Sequence, residues 1–205
     1  PTVSMGSSAP DCTNRSPMSV TVAFSEAVTG FTSGDVTPTN ASVTGFSGAG
    51  TSYTFSLVPS GQGLVTAGIA AGVAQDAVGN GNMAATPLSR TYDSVAPTVT
   101  MSSSTSDLTN NPAVPVTVTF SEAVTGFTSE DVTPTNATVA GFSGAGGSYS
   151  FSLVPSGQGA FSAAIFAGIA RDTAGNASMA AVPFSRTYDG IAPTVSLSST
   201  APNPT

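Results

Sequence analysis

Phe24-Ser25-Glu26-Ala27-Val28-Thr29-Gly30-Phe31 occurs a second time as Phe120-Ser121-Glu122-Ala123-Val124-Thr125-Gly126-Phe127, 96 residues further along the chain. A fixed period of this kind identifies an array before any local motif does. Outward from the octapeptide the register holds without insertion or deletion from Pro1/Pro97 to Ala96/Ala192, with about two-thirds of the positions identical. Pro193-Thr194-Val195 then opens the unit a third time. The expected organisation is repeat 1 over 1–96, repeat 2 over 97–192 and the first strand of a further repeat over 193–205. With neither an initiator Met nor a signal peptide, the chain reads as a piece of a longer array.

Within each unit the apolar residues alternate with Thr and Ser. Val116, Val118 and Phe120 are interleaved with Thr117, Thr119 and Ser121, and Tyr149, Phe151 and Leu153 with Ser150 and Ser152. That two-residue period belongs to strands buried on one face. Phe161, Ala163, Ile165, Ala167 and Ile169 form a longer inward row, matched in repeat 1 by Val65, Ala67, Ile69, Ala71 and Val73. Two such sheets must close on each other, and a 96-residue unit has the size of an immunoglobulin-like sandwich. The predicted fold class is all-β, with tandem immunoglobulin-like β-sandwiches of about seven strands each in Greek-key order. For repeat 2 the strands fall near 98–103 (A), 114–121 (B), 131–136 (C), 138–142 (D), 148–154 (E), 160–170 (F) and 184–188 (G), separated by Gly-, Asn- and Pro-rich turns. Cys12 stands where repeat 2 has Leu108, and a thiol interchangeable with Leu reads as a small buried hydrophobe.

The 205 residues carry 4 basic and 11 acidic groups, a net charge of −7, with no His and, as the sequence shows, no Lys. Nucleic acid is excluded as a partner, because phosphate contacts need clustered Lys or Arg. Histidine-based catalysis and histidine metal ligands are excluded as well. A lone Cys cannot build a zinc site or an internal disulfide. The longest apolar run, from Ala163 to Ala170, is far shorter than the roughly 20 residues of a membrane-spanning helix, so no membrane span is expected.

Ten of the eleven carboxylates fall into five repeat pairs: Asp11/Asp107, Glu26/Glu122, Asp35/Asp131, Asp76/Asp172 and Asp93/Asp189. Only Glu130 has no counterpart, since Gly34 stands in its place. In a sandwich of this topology the B–C and F–G loops face the preceding module, which puts Glu122, Glu130, Asp131 and Asp172 at that pole. The linker Tyr92-Asp93-Ser94-Val95-Ala96-Pro97 delivers Asp93 to the same place. Carboxylates gathered this way repel unless they are solvated, protonated or bridged by a cation, and Ca²⁺ accepts six to eight oxygens in flexible geometry. Asp93, Glu122, Asp172 and Asn176 are thus the candidate Ca²⁺ ligands at the junction, with Glu26, Asp76, Asn80 and Asp189 at the equivalent positions. Alternatively the acids cap turns, for which Asp172-Thr173-Ala174-Gly175-Asn176 is well composed. Four sequons, at Asn14, Asn40, Asn136 and Asn176, permit N-glycosylation, although such triplets arise easily by chance in a Ser/Thr-rich chain. Arg90 and Arg186, in Ser-Arg-Thr-Tyr-Asp, are placed to pair with a neighbouring Asp.

The Phe-Ser-Glu-Ala-Val-Thr-Gly-Phe stretch followed by Asp35-Val36, the loop Asp76-Ala77-Val78-Gly79-Asn80 and the closing Tyr92-Asp93-Ser94-Val95-Ala96-Pro97-Thr98 resemble bacterial immunoglobulin-like repeats of very large surface proteins and adhesins. The resemblance covers essentially the whole chain. It implies a secreted or surface-anchored extracellular multidomain protein whose modules act as stalk units, some with calcium at their junctions. The Asp-x-x-Gly-Asn loops correspond to Asp76/Asn80 and Asp172/Asn176, and the linker acids to Asp93 and Asp189. Many relatives carry more linker acids than this chain does. Without Lys, the Lys–Asn isopeptide bond of some pilus and adhesin modules is chemically impossible here.

The leading function is a non-enzymatic spacer or stalk module in a large secreted or cell-surface bacterial repeat protein of the adhesin type, its neighbouring repeats being its partners. Neither copy carries a nucleophile–base pair. One alternative is a subunit of an extracellular filament, in which the 193–205 tail adds as a strand to other copies of the chain. A carbohydrate-binding module is a further alternative. It lacks Trp for an aromatic platform, and the alternation turns Tyr53 and Tyr149 inward.

Overall fold

The computed structural model describes residues 1–200, so 201–205 of the predicted terminal strand lie outside the described residues. Repeat 1 contains seven strands: β1 (Val3–Gly6), β2 (Cys12–Thr13), β3 (Met18–Val28), β4 (Val36–Thr39), β5 (Ala41–Pro59), β6 (Gly63–Ile69) and β7 (Leu88–Tyr92). Repeat 2 duplicates them as β8 (Val99–Ser102), β9 (Leu108–Thr109), β10 (Val114–Val124), β11 (Val132–Thr135), β12 (Ala137–Pro155), β13 (Gly159–Ile165) and β14 (Phe184–Tyr188). Each repeat pairs a three-stranded sheet, β1-β3-β5 or β8-β10-β12, with a four-stranded one, β2-β7-β6-β4 or β9-β14-β13-β11. The connections β3→β4 and β5→β6 each cross from one sheet to the other, so the two sheets are interleaved along the chain.

The alternation decides which face closes. Met18, Val20, Val22 and Phe24 of β3 are all buried, and the residues between them are exposed. At about 25 cal/mol per Å² of apolar surface, such rows dominate the stability of each sandwich. The two repeats form separate cores, one from Ala9 to Leu88 and the other from Val99 to Phe184. Phe24, Phe31, Phe46 and Tyr53 build an edge-to-face aromatic cluster at one end of the first core, and Phe120, Phe127, Phe142 and Tyr149 repeat it in the second. Tyr53 and Tyr149 are buried in these clusters and offer no platform to a sugar.

Four expectations need correction. The strand A region is two pieces: β1 pairs antiparallel with β3, and after a crossover β2 joins the other sheet parallel to β7. Arg90 holds this crossover by donating from Nε to the carbonyl of Ala9 at 2.8 Å and from Nη2 to that of Ser7 at 3.2 Å. Strands D and E run as one 19-residue element, β5 or β12, folded on itself through glycines of positive φ at Gly45, Gly48 and Gly50 or their repeat 2 counterparts. Strand F ends at Ile165 rather than 170, because the chain turns through Gly168 (φ 84°) and leaves Ala167 exposed although it continues the inward row. Leu108 is 64% exposed and Cys12 half-buried, so this position belongs to the end of the sandwich and not to its core. After β14, residues 189–200 are assigned to no strand, and Val195 and Leu197 are exposed.

Candidate functional site at the inter-repeat junction

The junction is assembled from three segments. β7 ends at Tyr92, and the linker begins with Asp93, whose backbone N–H donates to the Thr13 carbonyl at 3.0 Å and whose Oδ1 accepts from the Val95 N–H at 2.9 Å. Such an Asx turn directs the chain out of the sandwich in one direction. Gln62 reinforces it from repeat 1. Its Nε2 donates to Ser94 Oγ at 2.7 Å, and its Oε1 accepts the Ser94 N–H at 3.0 Å. On the far side Pro97 is buried and its carbonyl accepts the Met179 N–H at 2.8 Å, which fastens the linker to repeat 2.

The second segment is the loop Asp172–Asn176. Asp172 is 6% exposed and its carboxylate is an internal acceptor: Oδ1 takes the N–H groups of Gly175 (2.7 Å) and Asn176 (2.8 Å), and Oδ2 takes Asn176 Nδ2 (2.8 Å). Asn176 then reaches across the junction. Its Nδ2 donates to the Asp93 carbonyl at 2.9 Å, its Oδ1 accepts from Asn14 Nδ2 at 3.1 Å, and the Asn14 N–H donates to the Ala174 carbonyl at 3.3 Å. One amide side chain therefore ties its own loop, the linker and the preceding repeat together.

Glu122, at the end of the long β10 strand, is the third segment. Carboxylate oxygens of Asp93, Glu122 and Asp172 lie within 4.8 Å of one another. Partial burial, then the charges of Asp172 and Asp93, push the Glu122 carboxyl above its ordinary pKa. The Cys12 thiol feels the charge of the same cluster. Burial first, and then Asp93, Asp172 and Glu122, raise its pKa, which keeps the thiol protonated and a poor nucleophile.

Of the other residues singled out from the sequence, Asp131 lies at the same pole but is occupied in capping. Its Oδ2 accepts the Thr128 N–H (2.8 Å) and Oγ1 (2.9 Å) at a short 3₁₀ turn, Ser129–Asp131, as Asp35 does in repeat 1. Glu130 is exposed on that turn. Asp76 and Asn80 keep the loop geometry of Asp172 and Asn176, with Asn80 Nδ2 donating to Asp76 Oδ2 at 2.7 Å, while Glu26 is exposed. Hydrogen bonds from the Asn80 side chain and backbone hold the Asp76 carboxyl below its ordinary pKa. Asp189 starts an Asx turn of its own toward Ile191, in the open. The four sequon asparagines all donate their amide nitrogens within the fold, Asn40 and Asn136 to the β5–β6 and β12–β13 turns and the other two at the junction. A glycan would have to displace those bonds.

Sequence reasoning missed the role of Asn14. Its partner lies 162 residues away, and an exposed Asn in a turn carries no mark of such a contact.

A family model described as a bacterial Ig-like domain matches residues 1–92 and again 93–188. No curated protein sequence matches. Among solved structures, invasin, described as a bacterial integrin-binding protein, aligns over 91% of this chain at 10% identity with a TM-score of 0.34. This chain spans 38% of that structure's length. Adhesin InvE of Yersinia pseudotuberculosis gives 14% identity and a TM-score of 0.31 over 91% of this chain and 58% of its own. The D0-D1 domain of intimin gives 11% identity and 0.26 over 90% and 97%.

Proposed function

The chain belongs to the bacterial Ig-like domain family, and from that membership we propose that it serves as a non-enzymatic spacer in a cell-surface protein, setting the distance and angle between the parts on either side of it. The observation that carries this reading is the linker bonded from both sides, by Gln62 and Thr13 of repeat 1 and by Asn176 and Met179 of repeat 2. Two sandwiches with separate cores would otherwise swing freely. Directed hydrogen bonds across the junction restrict that swing and give the pair a defined span. Neighbouring repeats are the partners such a spacer requires.

The junction also suits a hard divalent cation such as Ca²⁺, which takes carboxylate and carbonyl oxygens and has no need of nitrogen or sulfur. Asp93, Glu122 and Asp172 would hold it, and their mutual repulsion would be neutralised. Since Asn176 Oδ1 already accepts from Asn14, this side chain acts as a tie beside the carboxylates. Small-angle scattering and thermal unfolding with Ca²⁺ and then with chelator test both parts of the reading. A stalk predicts a fixed maximum dimension with two modules end to end. Calcium at the junction predicts a higher melting temperature and a narrower distance distribution with the ion, and Asp93→Ala abolishes both. A broad, ion-independent distribution would refute the spacer.

A further inference from the structure

A groove of about 680 Å³ runs along the side of repeat 2, between β8 and β14, the strands that flank the gap between its two sheets. Its counterpart between β1 and β7 in repeat 1 holds about 500 Å³. Each groove is lined by its own repeat alone, and each stays open although the other repeat adjoins it, one from before and one from behind. Neighbours along an array therefore leave this flank uncovered. Two exchanges set the groove of repeat 2 apart. Ala160 stands where repeat 1 has Leu64, which opens the groove, and Val182, 85% exposed, stands where repeat 1 has Thr86, which makes its rim apolar.

The walls carry unpaired backbone. The Thr98 carbonyl accepts the Ser121 N–H at 2.9 Å, so by the alternation of an antiparallel ladder Thr98, Thr100 and Ser102 turn their backbone groups to β10. Val99 and Met101 turn theirs the other way, along the outer edge of a three-stranded sheet that ends at β8. β14 offers less. β9 covers Thr187 and Tyr188, Pro183 has no N–H, and the Ser185 carbonyl is taken by Arg186 Nη1 at 2.8 Å. Arg186 supplies the cation of the groove. Its Cζ lies 4.4 Å from the centre of the Phe184 ring, its Nε donates to the Thr105 carbonyl at 3.0 Å, and its Nη1 is 3.1 Å from Asp107 Oδ1. In repeat 1 the Ser7 carbonyl accepts from Arg90 Nη2 at 3.2 Å, whereas Nη2 of Arg186 has no acceptor among the described residues.

We propose that this groove binds an extended segment of a partner polypeptide, which adds to β8 as a further strand and turns inward, two residues apart, one apolar side chain and one carboxylate. The backbone groups of Val99 and Met101 hold such a strand, as in other cases of strand addition, and the side chains that point inward decide which segment fits. Its apolar side chain lies over Met101, Val182 and Phe184, and its carboxylate takes the open Nη2 of Arg186. Residues i and i+2 of a strand stand about 7 Å apart on one face, so a single short segment reaches both. An edge of four residues with neither Lys nor a covering helix is a template for pairing. The inference concerns the flank of repeat 2 and does not depend on the spacer reading.

Titration of the full chain with the end-blocked pentapeptide Thr-Val-Thr-Asp-Thr to about 1 mM, followed by amide and guanidinium NMR shifts, tests it. Saturable shifts should appear at the Val99, Met101 and Ser185 amides and at Arg186 Nε–H, and not at the corresponding positions of repeat 1. Thr-Val-Thr-Asn-Thr, without the charge, and Thr-Val-Asp-Thr-Thr, with the acid on the outer face, should each bind about tenfold more weakly. Ala160→Leu restores the side chain that repeat 1 carries at this place, so it should weaken binding by a similar factor and leave the melting temperature unchanged. Arg186→Gln should bind the Asp and Asn peptides equally; because Arg186 also holds the crossover, Ala160→Leu decides the matter should that variant fail to fold. The proposal is overturned by the absence of saturable shifts, by equal binding of the Asp and Asn peptides to the wild type, or by the same shifts on concentrating the chain alone, which would make a second copy the occupant. The distance between the repeats, on which the spacer reading stands, is unaffected by any of these results.

Discussion

Asn80 and Asn176 occupy the same place in the repeat and make the same bonds to their loop, yet only Asn176 touches a neighbouring module. Losing it leaves a buried Asp172 oxygen and two junction groups without partners, and unsatisfied buried groups cost about 1–3 kcal/mol. Asn176→Ala should therefore lower the melting temperature of repeat 2 and widen the inter-module distance distribution. Asn80→Ala should do much less of the first and none of the second. Glu122 gives a signed pH test. Its pKa is raised on folding, so the native state binds this proton more tightly than the unfolded chain does. Stability from this group falls as pH rises from the ordinary glutamate range through the raised value, and above that the ionised carboxylate is a constant penalty. In chelator, Glu122→Gln should raise the melting temperature near neutral pH, with the gain disappearing in acid. In Ca²⁺ the same variant should lower it if the carboxylates hold the ion. A gain that persists unchanged in acid would show that the cluster is not its source.

At the scale of elements, Gly48 and Gly45 sit three residues apart in β5 and both have positive φ, but their surroundings differ. A Cβ on Gly48 would run into the backbone of Ser52 and Tyr53 across the hairpin, whereas one on Gly45 meets nothing within 4 Å. Gly45→Ala should cost only the left-handed strain, about 1–2 kcal/mol. Gly48→Ala should cost clearly more and disturb the hairpin, as denaturant midpoints for the two variants would reveal. The crossover from β1 to β2 makes a second comparison. Arg90 is held by three carbonyls, those of Ser7, Ala9 and Ser89, whereas Asp11, 3.4 Å from its Nη1, has a fully exposed side chain. Asp11→Ala should be nearly silent, since exposed ion pairs contribute about 0–1 kcal/mol. Arg90→Lys should be as damaging as Arg90→Ala, because an ammonium cannot reproduce the guanidinium fork.

These elements also mark where sequence reading works. Strands with one face against the core announce themselves by alternation, and β3, β6 and their copies follow it. β2 and β9 are two residues long, too short for an alternation to show. The row through Ala167 and Ile169 overran its strand because a period of two says nothing about a turn placed inside it at Gly168. Cys12 and Leu108 mislead for a related reason: an apolar pair at equivalent positions marks a shared environment, and that environment is an end face.

For the whole molecule, the carboxylates at the junction were legible because loop order and strand direction fix which residues reach which pole, whatever the side chains do on arrival. Asn14, Gln62 and Asn176 were less legible. Amides make their choice only when partners distant in sequence are brought within reach. The two exits of the molecule are not equal in this respect. Ser94 offers both an N–H and a hydroxyl to Gln62, while Gly190 offers Gln158 only its N–H at 3.0 Å. A joint leaving at Gly190 would thus be held by one bond fewer than the joint leaving at Ser94, so that under sideways load it would crease first.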